Sequence, residues 1–309
     1  MPELGVIYIL LSAVFYGLAG AVTRRGMLHT SAFNGIFISV LASLPLFVAA
    51  AAISGQLGRP TALTLAAYFG LVGIGVLNYG LARYSTFRSI KILGSNRSTP
   101  LRALTPITAV VLGIVLLGET LTLTQSAGVA VLIGAPLLLV FGSRAGRASR
   151  GSTVGAQAAS YGTGGTKLAE GVFFGMLAGV AYGVSQFLIR LVLADTDMGI
   201  MGALVTNASA GLFLMGMLSV PGRVDEVRSV HRGGMRWFLL SGVVVFLALI
   251  FRFTALESLE VSIASPLHET SMMFGLFFSY LINRDVESFR PMVLVAIALS
   301  FVGTIAVAL

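Results

Sequence analysis

The chain has 309 residues, of which 56% are hydrophobic and 10% charged, and its formal net charge is +8. A soluble domain carries about 25% charged residues, so this composition, with a mean hydropathy of +0.94, excludes a water-soluble globule and predicts an all-α membrane protein. The absence of cysteine excludes a disulfide framework, a thiolate metal site and a cysteine nucleophile. The three histidines, His29, His231 and His268, are too few and too scattered to predict a metal site, and no cofactor is expected.

In chain order, apolar runs between breakers predict ten transmembrane helices: 4–23, 32–54, 62–86, 99–118, 121–142, 170–193, 199–220, 237–256, 265–282 and 291–309. Each approaches the roughly 20 residues that cross a hydrocarbon core. Runs such as Val129 to Phe141 are apolar on every face, which favours helices over the alternating strands of a membrane barrel. The first segment reads as a full span, because no basic residue precedes it as in a cleaved signal. Residues 143–169 are rich in Gly, Ser and Ala and read as a flexible linker between two halves, 1–142 and 170–309. Within it, Gly162 to Lys167 lacks the Walker spacing and a preceding strand, so no phosphate loop is predicted.

The halves match at a constant offset of 166 residues. Gly5 falls on Gly171, Tyr16-Gly17 on Tyr182-Gly183, Arg24 on Arg190, Pro100-Leu101 on Pro266-Leu267 and Glu119 on Asp285. Arg83 and Arg252 match at 169, which implies a small indel. Five spans per half is an odd number, so the second half enters the membrane the other way round. The expected fold is therefore two inverted five-helix repeats, as in many secondary transporters. Thr99 and Ser265 precede the matched prolines and predict helix starts there, with a hydroxyl cap and Pro at the first helical position. Gly171, Gly175, Gly179 and Gly183 form a stripe suited to close packing inside the bundle; a homodimer stays open.

Of the 20 Arg and Lys residues, 17 fall in or beside the odd-numbered connections between spans. The even ones hold Arg59, Arg190 and Arg252. The positive-inside rule then puts odd loops in the cytoplasm and both termini outside. The expected location is a cell inner membrane. Trp237, at the start of the eighth span, reads as an interface anchor.

The stretch Pro106-Ile-Thr-Ala-Val-Val-Leu-Gly-Ile-Val-Leu-Leu-Gly-Glu119, followed by Thr120-Leu121-Thr122 and Gln125-x-x-Gly128, resembles the end of an EamA repeat. Ser95-Asn96-Arg97-Ser98-Thr99-Pro100-Leu101 resembles members of the same family, and the second copy has Met272 for Pro106 and Asp285 for Glu119. The resemblance covers nearly the whole chain and implies the drug/metabolite transporter (DMT) superfamily. It implies ten helices in two inverted repeats and a central substrate cavity lined mainly by helices 1–4 and 6–9. Members are commonly drawn with cytoplasmic termini, whereas the charge distribution here gives the reverse and is followed.

Ionisable groups inside a membrane cost roughly 2.5–3.5 kcal/mol each on insertion scales, so those near the cavity need partners or a task. Arg83 and Arg102 are candidates to hold a carboxylate or phosphate through paired hydrogen bonds; snorkelling to the interface is the alternative. Arg252 matches Arg83 and joins the candidates. His268 and Glu269 can change protonation and are candidates for substrate contact and proton coupling, although a Glu in a first helical turn is also an ordinary dipole partner. Tyr16, Tyr182, Asn78, Tyr79 and Gln186 need hydrogen-bond partners in hydrocarbon and either line the cavity or bridge helices. Glu119 and Asp285 read as structural anchors.

The function expected is secondary-active transport of a small polar metabolite, amino acid- or organic acid-like, through alternating access. No ATP-binding motif is present. Translocation of drugs or lipid headgroups is the alternative, and an intramembrane enzyme a distant one, since no catalytic constellation is found. Nucleic-acid binding is not expected, because the basic residues are scattered over short loops.

Overall fold

The computed structural model describes residues 2–27, 32–93, 101, 104–134, 165–228, 230, 232–282, 302–303 and 306–307. Every regular element among them is helical. These are α1 (Pro2–Met27), α2 (Ala32–Ile53), α3 (Leu65–Val76), α4 (Arg83–Leu93) and α5 (Leu104–Leu117). They continue with α6 (Leu123–Gly134), α7 (Gly165–Leu193), α8 (Gly199–Gly216), the short α9 (Arg223–Arg228), α10 (Arg232–Ser258), α11 (Val261–His268) and α12 (Ser271–Ile282). Among the described residues six stretches are long and apolar enough to cross a membrane: Glu3–Gly26, Phe33–Ile53, Leu65–Thr86, Ala169–Leu193, Gly199–Ser219 and Gly233–Ser258. Their outward faces carry large apolar side chains such as Ile7, Phe69, Phe173 and Leu212, the surface that lipid requires. The expected linker up to 164, the end of the fifth span, the tenth span apart from 302–303 and 306–307, Thr99, Pro100, Arg102 and Asp285 lie outside the described residues.

The two halves pack on each other. α1 lies against α10 and α12, α7 against α4 and α5, α2 against α10, and α3 against α8. Under the sequence offset α1 corresponds to α7, α2 to α8 and α5 to α12, so these pairings exchange with one another. Glycine explains how close the crossings are. A Cβ on Gly17 would stand 2.5 Å from the backbone N of Gly275, and one on the matching Gly183 would stand 2.6 Å from the carbonyl of Thr105. Gly175 and Gly179 meet Leu101 in the same way, so this stripe is consumed inside the bundle.

Several polar groups inside the bundle are bonded across helices, which a low dielectric favours. Ser12 donates to the carbonyl of Ala248 at 2.8 Å, and Asn207 Nδ2 to Ser43 Oγ at 2.9 Å. At one end of the bundle, carboxylates accept from the unsatisfied N–H groups that begin helices. Glu119 accepts from Val261 and Ser262, both at 2.9 Å. Glu257 accepts from Gly199, and Arg190 donates to the carbonyls of Leu256 and Glu257.

Two features depart from the sequence reading. The ninth span was expected to start at Ser265-Pro266, but its helix begins at Val261 with Glu260 as N-cap. Glu119 supplies the capping acceptor from the other half, so Ser265 is not needed for it. Pro266 then lies inside α11, and the chain turns at Glu269 and Thr270 before α12 starts. Glu269 is thus the C-cap of α11, not a first-turn residue. The second departure is in the third span, where Leu77–Ala82 forms a π turn between α3 and α4.

Candidate functional site

A cavity of about 540 Å³ opens between the two halves. Nine of the ten residues singled out from the sequence line it: Tyr16, Asn78, Tyr79, Arg83, Tyr182, Gln186, Arg252, His268 and Glu269. Arg102, the tenth, lies outside the described residues.

Local structure places each side chain. Asn78 and Tyr79 sit on the π turn, where the N–H of Arg83 reaches back five residues to the carbonyl of Asn78. The extra residue in that turn re-aims the polar side chains, a common use of π bulges at functional positions. The Arg83 guanidinium carbon stands 5.8 Å from the Tyr79 ring centroid, within cation–π range. Tyr79 also lies in the electrostatic field of Tyr16, Tyr182 and Arg252. His268 and Glu269 occupy the break between α11 and α12, and the His268 ring meets the Tyr16 ring edge-on at 4.8 Å and 80°.

Arg252 sits within α10, inside the eighth span, 237–256, expected from the sequence. It is 8% exposed, and its Nε has no hydrogen-bond partner among the described residues. Gln186, 2% exposed, likewise leaves its Oε1 without one. Arg24 also lines the cavity, so among the described residues its lining includes the three arginines Arg24, Arg83 and Arg252 and the carboxylate of Glu269. Glu119 and Glu257 are engaged elsewhere, at helix starts.

Sequence reasoning missed several lining residues. Thr23 and Ser241 hydroxyls share a 2.7 Å hydrogen bond at the cavity wall. Ser39, Thr86, Thr105, Thr206 and Asn207 join them. Small hydroxyls are ordinary in membrane helices; Thr23, Thr86 and Thr105 stand within two turns of Tyr16, Arg83 and Arg102, while Ser39, Thr206, Asn207 and Ser241 carry no such signal. Among the described residues no cluster of His, Asp and Glu could hold a metal ion.

Residues 3–141 and 169–309 each match the EamA-like transporter family. The chain belongs to that family. It is 29% identical over 133 residues to a Sinorhizobium protein named "Uncharacterized transporter in cobO 3'region", a match covering 43% of this chain and 94% of that protein. The fold is shared with a solved crystal structure of a protein 14% identical in sequence, at a TM-score of 0.71, over 96% of this chain and 94% of that one. Family membership and the apolar helices together make this a multi-pass membrane protein.

Proposed function

We propose that this EamA-family chain is a secondary-active transporter of a small polar metabolite bearing an anionic group, amino acid- or organic acid-like. The reading takes the fold as ten helices in two inverted repeats, set in a cell inner membrane with both termini outside. The observation that carries it is the buried, cation-rich cavity between the halves, with Arg252 deep in its wall. A cation held in low dielectric without a compensating anion is costly, and a substrate anion supplies the missing charge through paired hydrogen bonds.

Alternating access gains support from how the ends of the bundle differ. The lining reaches Thr23, Arg24 and Thr86, which stand near arginines of their own helices, and Gly35 at the start of α2. At the opposite ends the helices are tied together by Glu119, Glu257, Arg190 and by Gln56, whose Oε1 accepts from the N–H of Met201 at 2.8 Å. The reading is of a carrier open toward its arginine-rich face.

A thermal-shift screen of the purified protein against anionic, neutral and cationic metabolites tests it. A ligand that binds the folded state alone raises the melting temperature. Anions are expected to stabilise, and to be taken up by proteoliposomes. A response confined to neutral or cationic compounds would overturn the assignment.

A further inference from the structure

Two helix bundles meet at the cavity. One contains α1, α2, α10 and α12, the other α3, α4, α5, α7 and α8, and each draws on both halves of the chain. At the end remote from the arginine-rich face, polar contacts tie one bundle to the other. Arg190, near the end of α7, donates to the carbonyl of Leu256 at 3.1 Å and to that of Glu257, both at the end of α10. The N–H of Asp195 donates to the same Glu257 carbonyl at 3.1 Å. The Glu257 carboxylate accepts from Gly199 at the start of α8. Gln56, just beyond α2, accepts from Met201 of α8 at 2.8 Å. Every one of these contacts crosses between the bundles. We infer that Arg190 and Glu257 are the latch of a gate, which holds this end shut and parts when the cavity turns to the other side of the membrane. The inference rests on the reading of the chain as an alternating-access carrier open toward its arginine-rich face.

The reach of the cavity singles out this layer. Its lining extends along α1 and α10 to Thr23 and Ser241, but includes neither Gln56, Arg190, Asp195, Gly199, Met201 nor Glu257. Leu193, Met198 and Leu256, beside the ties in sequence, are fully buried in one apolar cluster. Phe253 belongs to that cluster and also lines the cavity, so an apolar layer backs the cavity and the polar ties lie beyond it. A Cβ on Gly202 would stand 2.5 Å from Leu193 and 3.3 Å from Phe253, so α7, α8 and α10 meet closely there. Glu257 is itself buried. Hydrogen bonds to charged groups are strong in such surroundings, and parting them leaves each partner without its bond, so they favour the shut position. By contrast, the side-chain pairs Arg88–Glu170 and Thr23–Ser241 each lie within one bundle and put no tie across the cavity.

The chain has no cysteine, so Gly20→Cys supplies a single thiol for the test. Gly20 lines the cavity on α1, is exposed, and offers a Cβ open space to 4 Å. Its labelling by an anionic, membrane-impermeant methanethiosulfonate is followed in vesicles of each orientation. In Gly20→Cys alone the thiol is expected to react fast from the arginine-rich face and slowly from the other. Adding Arg190→Met or Glu257→Gln should raise the rate from the other face about tenfold or more, the worth of one hydrogen bond to a charged group. The two changes together should also slow labelling from the arginine-rich face, because both openings draw on one population. Unchanged rates on both faces overturn the latch. So does a rise on one face with no fall on the other when both changes are made, the mark of local fraying. If Gly20→Cys alone reacts no faster from the arginine-rich face than from the other, the carrier reading fails and the latch with it. Should Arg190→Met or Glu257→Gln lose its monodisperse profile, Gln56→Leu, at a half-buried tie, is measured in the same way, with a rise from the other face expected and unchanged rates overturning the gate.

Discussion

Glu119 accepts a hydrogen bond from the backbone N–H of Val261 at 2.9 Å, across 142 residues of chain. The same carboxylate takes the N–H of Ser262, so one side chain from the first half satisfies two of the orphan donors at the start of α11. Caps of this kind are worth about 0.5–2 kcal/mol, and bonds to a charged group about 1.5–3 kcal/mol. Glu119→Ala should therefore lower the melting temperature of the detergent-purified protein by several degrees, and Glu119→Gln by less. Equal melting temperatures for Glu119→Ala and the unmodified protein would show that the contact does not hold α11.

Glu260, the N-cap of α11, offers a pH dependence. Burial, and then the nearby Glu119, raise its carboxyl above the ordinary glutamate value. The folded state thus holds a proton that the unfolded chain has already lost in the window between the ordinary and the raised value. Stability contributed by this group is present below that window and falls as pH rises through it. Glu260→Gln should raise the melting temperature at neutral pH, with the difference shrinking as pH falls below the ordinary carboxylate range. A pH–stability curve of Glu260→Gln that runs parallel to the original would contradict this.

Gly17 and Gly20 make a paired test of packing. Both line the cavity on α1, but a Cβ on Gly17 would meet the backbone of Gly275 and Phe274 within 2.7 Å, and one on Gly20 meets nothing within 4 Å. Backbone cannot swing aside as a side-chain tip can. Gly17→Ala should cost at least the about 1–3 kcal/mol of ordinary overpacking and cut the yield of monodisperse protein, while Gly20→Ala folds normally. Comparable yields and melting temperatures for the two variants would mean that α1 and α12 do not cross so closely.

Much of this arrangement can be read from residue types. Arg83, Arg252, His268 and Glu269 stand out because ionisable groups in apolar runs are rare, and all four line the cavity. The glycine stripe of α7 is legible because small residues at a spacing of four have few uses other than close packing. What escapes such reading has physical causes. The π turn at Leu77–Ala82 follows from packing and has no composition of its own. The start of α11 is set by Glu119, whose partnership with residues so distant in sequence exists only once the halves have met.

Proton coupling, expected at His268 and Glu269, is tested at the break between α11 and α12. Both residues line the cavity there, and His268 sits edge-on to Tyr16 at 4.8 Å. A carboxylate facing the same space as three arginines competes with a substrate anion for their charge. On the proposed reading, protonating it would favour anion binding, and releasing the proton on the far side would favour anion release. Glu269→Gln fixes the neutral form, so it should retain substrate binding and exchange while abolishing the dependence of uptake on an imposed pH gradient. Proteoliposomes with a pH step separate these readouts. Gradient-driven uptake by Glu269→Gln at the original rate would remove Glu269 from the coupling path and leave His268 as the group to examine by the same measurement.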